Sequence, residues 1–249
     1  MWRAALAGLA CAATVFGATV THAAHPLISE DTGTQGAGHA ELELGASFSR
    51  VDGGHVFEFD PQLSYGLRDD FDAIVRPSLF HVNGPPADQA GRRGGFGPTA
   101  LDAKWRIASW DAISAGTRFG VDLPTSSRGL GPQRAGWHAL AMVTYDRSGT
   151  LATANLAYTR LSGEDPQLRR NVWRMSAAVV RNVREDLRLL IDLATSRPEE
   201  RELATWRAVA LVGAIARIPP GIDVDVGYQF RLNDAGPSNM WLAGMTLRW

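Results

Sequence analysis

Lysine is almost missing from this chain: Lys104 is the only one among 25 basic residues. Cysteine is as scarce, with Cys11 alone, and past the first 20 residues no apolar run is long enough to cross a bilayer. Each scarcity excludes something. A single cysteine rules out a disulfide-built scaffold. The best apolar run, "AVALVGAIA" at 208–216, is closed in by Arg207 and Arg217. It falls short of the roughly 20 residues that a spanning helix needs. The 25 basic residues balance 26 acidic ones, so no charge surplus points to a nucleic-acid partner. Arginine in place of lysine suits bidentate contacts to phosphate, as on lipopolysaccharide, although compositional bias of the genome gives the same pattern.

What is present begins with an export signal over residues 1–23. "MWR" supplies the positive charge, "AALAGLACAATVFGATV" the apolar stretch, and "THAA" a small-residue cleavage site near Ala23 or Ala24. Cys11 falls inside that peptide. A lipoprotein signal would place an aliphatic residue at position 8, where the chain has Gly8.

The remaining chain alternates. "IDVDVGYQFR" sets Ile222, Val224, Val226, Tyr228 and Phe230 against Asp223, Asp225, Gly227, Gln229 and Arg231. "ELELGASF", "FEFDPQLSYGL", "LDAKWRI" and the terminal "NMWLAGMTLRW" share this period of two, which belongs to strands with unlike faces. The pattern predicts about twelve strands, near 40–50, 55–67, 71–82, 99–108, 112–123, 137–146, 151–161, 172–182, 187–196, 205–217, 222–231 and 239–249. Most have roughly the 9–11 residues of a tilted bilayer-crossing strand. The outward face of 151–161 and of 205–217 stays open, because both are Ala-rich.

The connections alternate too. Short ones ("RDD", "SWD", "RSGT", "RED", "PPG") take turns with mostly longer ones such as "NGPPADQAGRRGGFGP" and "PTSSRGLGPQRAG", the first hairpin, "VDGG", being a short exception. That rhythm belongs to an outer-membrane barrel with tight periplasmic turns and larger external loops. The expected fold is all-β: a transmembrane antiparallel up-and-down barrel over 38–249. Residues 24–37, rich in Gly and Thr, read as a periplasmic segment or a lumen plug.

Phe57, Trp137, Trp173, Trp206 and Trp241 fall at outer strand ends, and Trp249 at an inner one. These are expected to form the interfacial girdles. The inward charges are expected to line the lumen: Glu41, Glu43, Glu58, Asp60, Arg76, Asp102, Lys104, Arg106, Arg118, Asp122, Arg188, Asp192, Asp223, Asp225 and Arg248. Facing lipid near the midplane, Arg or Lys would cost roughly 2–4 kcal/mol. They either select solutes in a wet constriction or pair across the interior and fill it.

One stretch carries a resemblance. His25, Pro26 and Leu27, followed by Asp31, Thr32, Gly33, Thr34, Gln35 and Gly36, resemble the start of the mature chain in a family of outer-membrane transporters named for the MetA pathway of phenol degradation. The resemblance implies an outer-membrane barrel and passage of small organic molecules. It implies no catalytic residues.

Enzyme motifs are lacking: no HExxH and no G-x-S-x-G. His55, His81 and His138 sit near outer strand ends, where a lipid hydrolase site would lie, but ordinary interface histidines fit better. His25 alone is too little for a metal site, and no cofactor is expected. Arg92–Arg93 and Arg169–Arg170 in external loops are candidates for lipopolysaccharide phosphates. The reading is a passive outer-membrane channel for small solutes, aromatic or apolar ones among them, and not an enzyme. Its partners would be outer-membrane lipid, lipopolysaccharide and the barrel-assembly machinery, which would read the terminal Trp249. A closed barrel with a structural or lipid-modifying role is the alternative.

Overall fold

The computed structural model describes residues 25–51, 54–83, 92–127, 135–162, 167–218, 221–235 and 239–249. Their strand segments are β1 (Ala40–Val51), β2 (Gly54–Arg68), β3 (Phe71–Arg76), β4 (Leu79–Asn83), β5 (Arg92–Phe96), β6 (Thr99–Trp110) and β7 (Ile113–Leu123). Then come β8 (Gly136–Arg147), β9 (Thr150–Leu161), β10 (Asn171–Asn182), β11 (Leu187–Ser196), β12 (Arg207–Ile218), β13 (Ile222–Arg231) and β14 (Met240–Arg248). Each pairs antiparallel with its neighbour. β1 pairs both with β2, through Leu42 and Leu63, and with β14, through Leu42 and Leu247, so the sheet closes. Among the described residues, closure gives the spanning staves partners on both sides, as a lipid environment requires.

Fourteen segments make twelve staves. β3 and β4 both pair with β2 and form one stave, interrupted at Pro77 and Ser78. Proline has no N–H to give the ladder, so the break falls there. β5 pairs only with β4 and continues the β6 stave across Gly97 and Pro98. Residues 92–96, read as loop from sequence, are therefore a strand that lengthens this hairpin. The turn between β8 and β9 is Ser148–Gly149, both at positive φ (53° and 73°). This is the two-residue geometry whose twist matches a hairpin.

Burial is inverted relative to a water-soluble protein. Phe119, Val143 and Val226 are about half exposed on the outer face, whereas Asp72, Asp192 and Asp223 are at most 1% exposed. Such a continuous apolar exterior requires lipid around it. In the two Ala-rich strands the odd positions point inward: Leu151, Thr153, Asn155 and Ala157 in β9, and Val209, Leu211 and Ile215 in β12.

The interior is therefore apolar in part. Leu151, Val180, Leu190, Leu211 and Ile215 form a buried apolar cluster inside the barrel, against which Leu27, Ile28 and Leu242 pack. Side-chain packing fills that sector, as happens in narrow barrels.

Candidate functional site

Before β1 begins, residues 25–36 cross the barrel interior. The wall has a recess for the first of them: a methyl group on Gly45 (β1) or Gly244 (β14) would collide with the His25 ring. His25 N–H donates to Glu43 at 3.1 Å, and its Nδ1 lies 2.6 Å from Asp225 Oδ1. Leu27 and Ile28 then cover the apolar cluster. The backbone N–H groups of Ile28 and Ser29 both donate to Asp192 Oδ2 at 2.7 Å, and the Ser29 hydroxyl donates to Oδ1 at 2.8 Å. Glu30 N–H donates to Asn155 at 2.6 Å, while Asn155 and Thr153 both donate to the Glu30 carbonyl at 2.8 Å. Thr32 N–H donates to Thr144 at 3.0 Å. Gln35 donates to Asp72 and Glu41, and Ala37 N–H to Asp69. The segment is thus tied to staves all around the barrel. Bonds to charged acceptors contribute roughly 1.5–3 kcal/mol each.

Two ion networks frame it. In the first, Glu30 accepts from Lys104 and from Arg118, both at 3.0 Å, and Lys104 also lies 3.8 Å from Asp31. Arg118 Nε donates to Asp102 at 3.0 Å, and Arg118 also donates to Gln62, which in turn donates to Glu43. His138 bridges Asp102 (2.7 Å) and Asp122 (3.2 Å). In the second, Arg248 joins Glu41 (2.7 Å) to Asp223 (3.0 Å), and Arg188 reaches the same Asp223 oxygen at 2.5 Å. Buried charges on this scale persist only when paired and hydrogen-bonded.

Two cavities lie on opposite sides of the segment. One, of about 410 Å³, is at the short-turn end against Asp31–Gly36, with Arg106, Ser114 and Thr144. The other, of about 350 Å³, is at the long-loop end, where Glu30, Arg76, Arg118, Asp122, His138 and Arg174 line it. By the topology of such barrels the long loops are extracellular.

All fifteen charges expected in the lumen lie on the inward face, but they play different parts. Asp225, Asp192 and Glu43 hold residues 25–29 directly. Asp102, Lys104, Arg118 and Asp122 form the first network, and Glu41, Arg188, Asp223 and Arg248 the second. Glu58 accepts from Ser78 at 3.2 Å beside Asp60, Arg106 donates to the Asp69 carbonyl at the short-turn end, and Arg76 lines the long-loop cavity. The aromatics Phe57, Trp137, Trp173, Trp206, Trp241 and Trp249 are all exposed. Phe119, Trp137, Tyr158 and Trp173 form a row across four staves, with ring centroids 5.9, 5.2 and 4.7 Å apart.

Sequence reasoning missed the neutral partners Gln62, Thr144, Thr153 and Asn155. Their inward positions in alternating strands were the available signal. His138 was read as an interface residue and is instead an interior ion-pair partner. His55 stacks near Phe48 at 5.4 Å, and His81 is exposed opposite Phe57, so neither shares a face with His138. Both nitrogens of His138 contact carboxylates, which leaves it no nucleophile to activate.

At the long-loop end, Arg169 is not free for phosphate. It donates to the carbonyls of Pro198 (3.2 Å), Glu200 and Arg201 (2.9 Å), while Arg201 Nε donates to the Leu168 carbonyl. These bonds pin residues 168–169 to residues 198–201. Partial desolvation raises the Glu199 carboxyl above its ordinary range, and the neighbouring Glu200 adds repulsion while Arg207 offsets part of both. The side chains of Arg92 and Arg93 lie outside the described residues.

No family model and no curated protein matches the chain. Solved structures do. An outer membrane channel from Pseudomonas putida F1 superposes with a TM-score of 0.72 at 13% identity, over 89% of this chain and 99% of that one. The NanC porin gives 0.62 at 12% identity, over 83% and 98%. The KdgM porin in complex with disordered oligogalacturonate gives 0.54 at 9%, over 82% and 98%. At such identities the likeness establishes the fold. Together with the lipid-requiring exterior, it places the chain in the outer membrane of a Gram-negative bacterium.

Proposed function

We propose that this barrel is a passive channel for small solutes, aromatic or apolar ones among them, and that residues 25–36 are a lumen plug that narrows its path. The observation that carries this is the pair of cavities, about 350 and 410 Å³, on opposite sides of one thin segment. Each is large enough for one small organic molecule, since ligand sites begin near roughly 300 Å³. The inward charges would act in two ways. Asp225, Asp192 and Glu43 would anchor the plug, and the charges around the long-loop cavity would sort what enters. Transport down a gradient needs no cofactor. Outside, the tryptophans would sit at the two lipid interfaces, in contact with lipid and lipopolysaccharide, and Trp249 would serve the assembly machinery as an address.

A second reading, a closed barrel with a structural role, is favoured by the hydrogen bonds that tie the plug to staves all around the interior. Solute release separates the two. Proteoliposomes loaded with a four-carbon polyol and with a trisaccharide should lose the polyol and retain the trisaccharide. Retention of both, with the protein inserted, would leave only the closed barrel.

A further inference from the structure

Two strand-borne cations in the long-loop cavity are not committed to an acid; Arg197 also lines it, from the loop after β11. Arg76 ends β3 and Arg174 lies on the inward face of β10, and both line that cavity. Among the described residues neither guanidinium forms a hydrogen bond or an ion pair within 4.0 Å. Arg174 is repelled by Arg76 and by Arg118, and it feels Glu30 and Asp192 only through space; Arg76 likewise feels Glu58 only through space, and Glu58 accepts from Ser78. The acids nearby have other partners. Glu30 holds Lys104 and Arg118, Asp122 contacts His138, and Asp192 accepts from Ile28 and Ser29. Glu199 is the remaining acid in the lining, and it forms no ion pair with either arginine. Two like charges facing one water-filled space raise the local concentration of anions. The wall beside Arg174 is apolar: Ala157 is its cross-strand partner, Leu140 pairs with Ala157, and Val172 lies two residues before it on β10.

We propose that the long-loop cavity binds a small organic carboxylate, with its anionic end on Arg76 and Arg174 and its apolar body against Leu140, Ala157 and Val172. Two planar forks match a carboxylate better than ammonium groups would, because each offers paired N–H donors in one plane. About 350 Å³ admits a single-ring acid and leaves no room for a polymer. Binding there would be the first stop for an anionic solute arriving from outside, loose enough for onward passage. This deepens the channel reading, on which its transport meaning rests, but binding itself is independent of conduction.

The test is calorimetric titration of the refolded full-length mature protein in detergent with benzoate, benzyl alcohol and galacturonate. Benzoate should bind, and both Arg76→Gln and Arg174→Gln should weaken it about tenfold or more, the size of a lost charge-assisted contact. Benzyl alcohol should bind more weakly and be indifferent to either substitution. Arg174→Lys should recover only part of the affinity, because it keeps the charge and loses the fork. Heat-modifiable migration on gels identifies folded barrels, and if Arg174→Gln does not fold, Arg76→Gln carries the test. Equal binding of benzoate and benzyl alcohol, or unchanged benzoate affinity in folded variants, would overturn the site. Galacturonate binding as tightly as benzoate would overturn the apolar half of it. Arginine-dependent binding in a barrel that releases no polyol would keep the site and sink the channel; release without binding would do the reverse.

Discussion

Proteoliposomes carrying a barrel without residues 25–36 should release a trisaccharide that the intact protein retains. The wall does not need the segment to close. β1 begins at Ala40, and the seam to β14 is held by register from Glu41–Arg248 to Ser49–Met240. The contact that seats the start of β1, Gly38 N–H on the Gly66 carbonyl, also lies outside the deletion. What the deletion removes is the material that joins Asp192, Asn155, Thr144 and Asp72 across the interior. The freed acceptors would be rehydrated, because the space they face would fill with water, so the cost of stranding them is small. Twelve staves stand between the eight whose interior side chains can fill and the sixteen or more that leave an open aqueous channel. The remaining obstruction would be the apolar cluster around Leu211 and the two ion networks. Trisaccharide release at the intact protein's rate would mean that the wall, and not the segment, sets the size limit.

Val226→Arg should cripple insertion. Val226 is half exposed on the outer face at the middle of β13, opposite Ala214 and Ala243 of the adjoining staves. An arginine at that depth in lipid costs roughly 2–4 kcal/mol, against about 0–1 kcal/mol near the interface. Phe57→Arg, at the outer end of β2, is therefore the matched control. In urea-dependent folding into lipid vesicles, Val226→Arg should shift or abolish the folded fraction, and Phe57→Arg should leave it nearly unchanged. Equal behaviour of the two variants would mean that position 226 does not lie at the bilayer midplane.

How much of this the sequence discloses varies from strand to strand. "IDVDVGYQFR" shows its facing plainly, because every inward position but Gly227 is polar and every outward one apolar. β9 and β12 do not, since Leu151, Leu211 and Ile215 point inward against alanines that point to lipid. Periodicity separates faces only where their chemistry differs. The path of residues 25–36 is a tertiary fact. Gly45 and Gly244, which make room for His25, are 199 positions apart and become neighbours only when the barrel closes. For the same reason His138 looked like a rim residue. Its partners Asp102 and Asp122 come from two other strands, and its own position tells nothing of them. The strand at 92–96 was hidden because glycines and prolines surround it, and these ordinarily mark loops.

Planar-bilayer conductance of the refolded chain from residue 24 onward, at moderate salt, tests the central claim most directly. A membrane barrel with a narrowed but continuous path should give discrete current steps, smaller than those of the same barrel lacking residues 25–36. Silence from protein shown to be inserted, with and without the segment, would contradict it and make this a closed barrel.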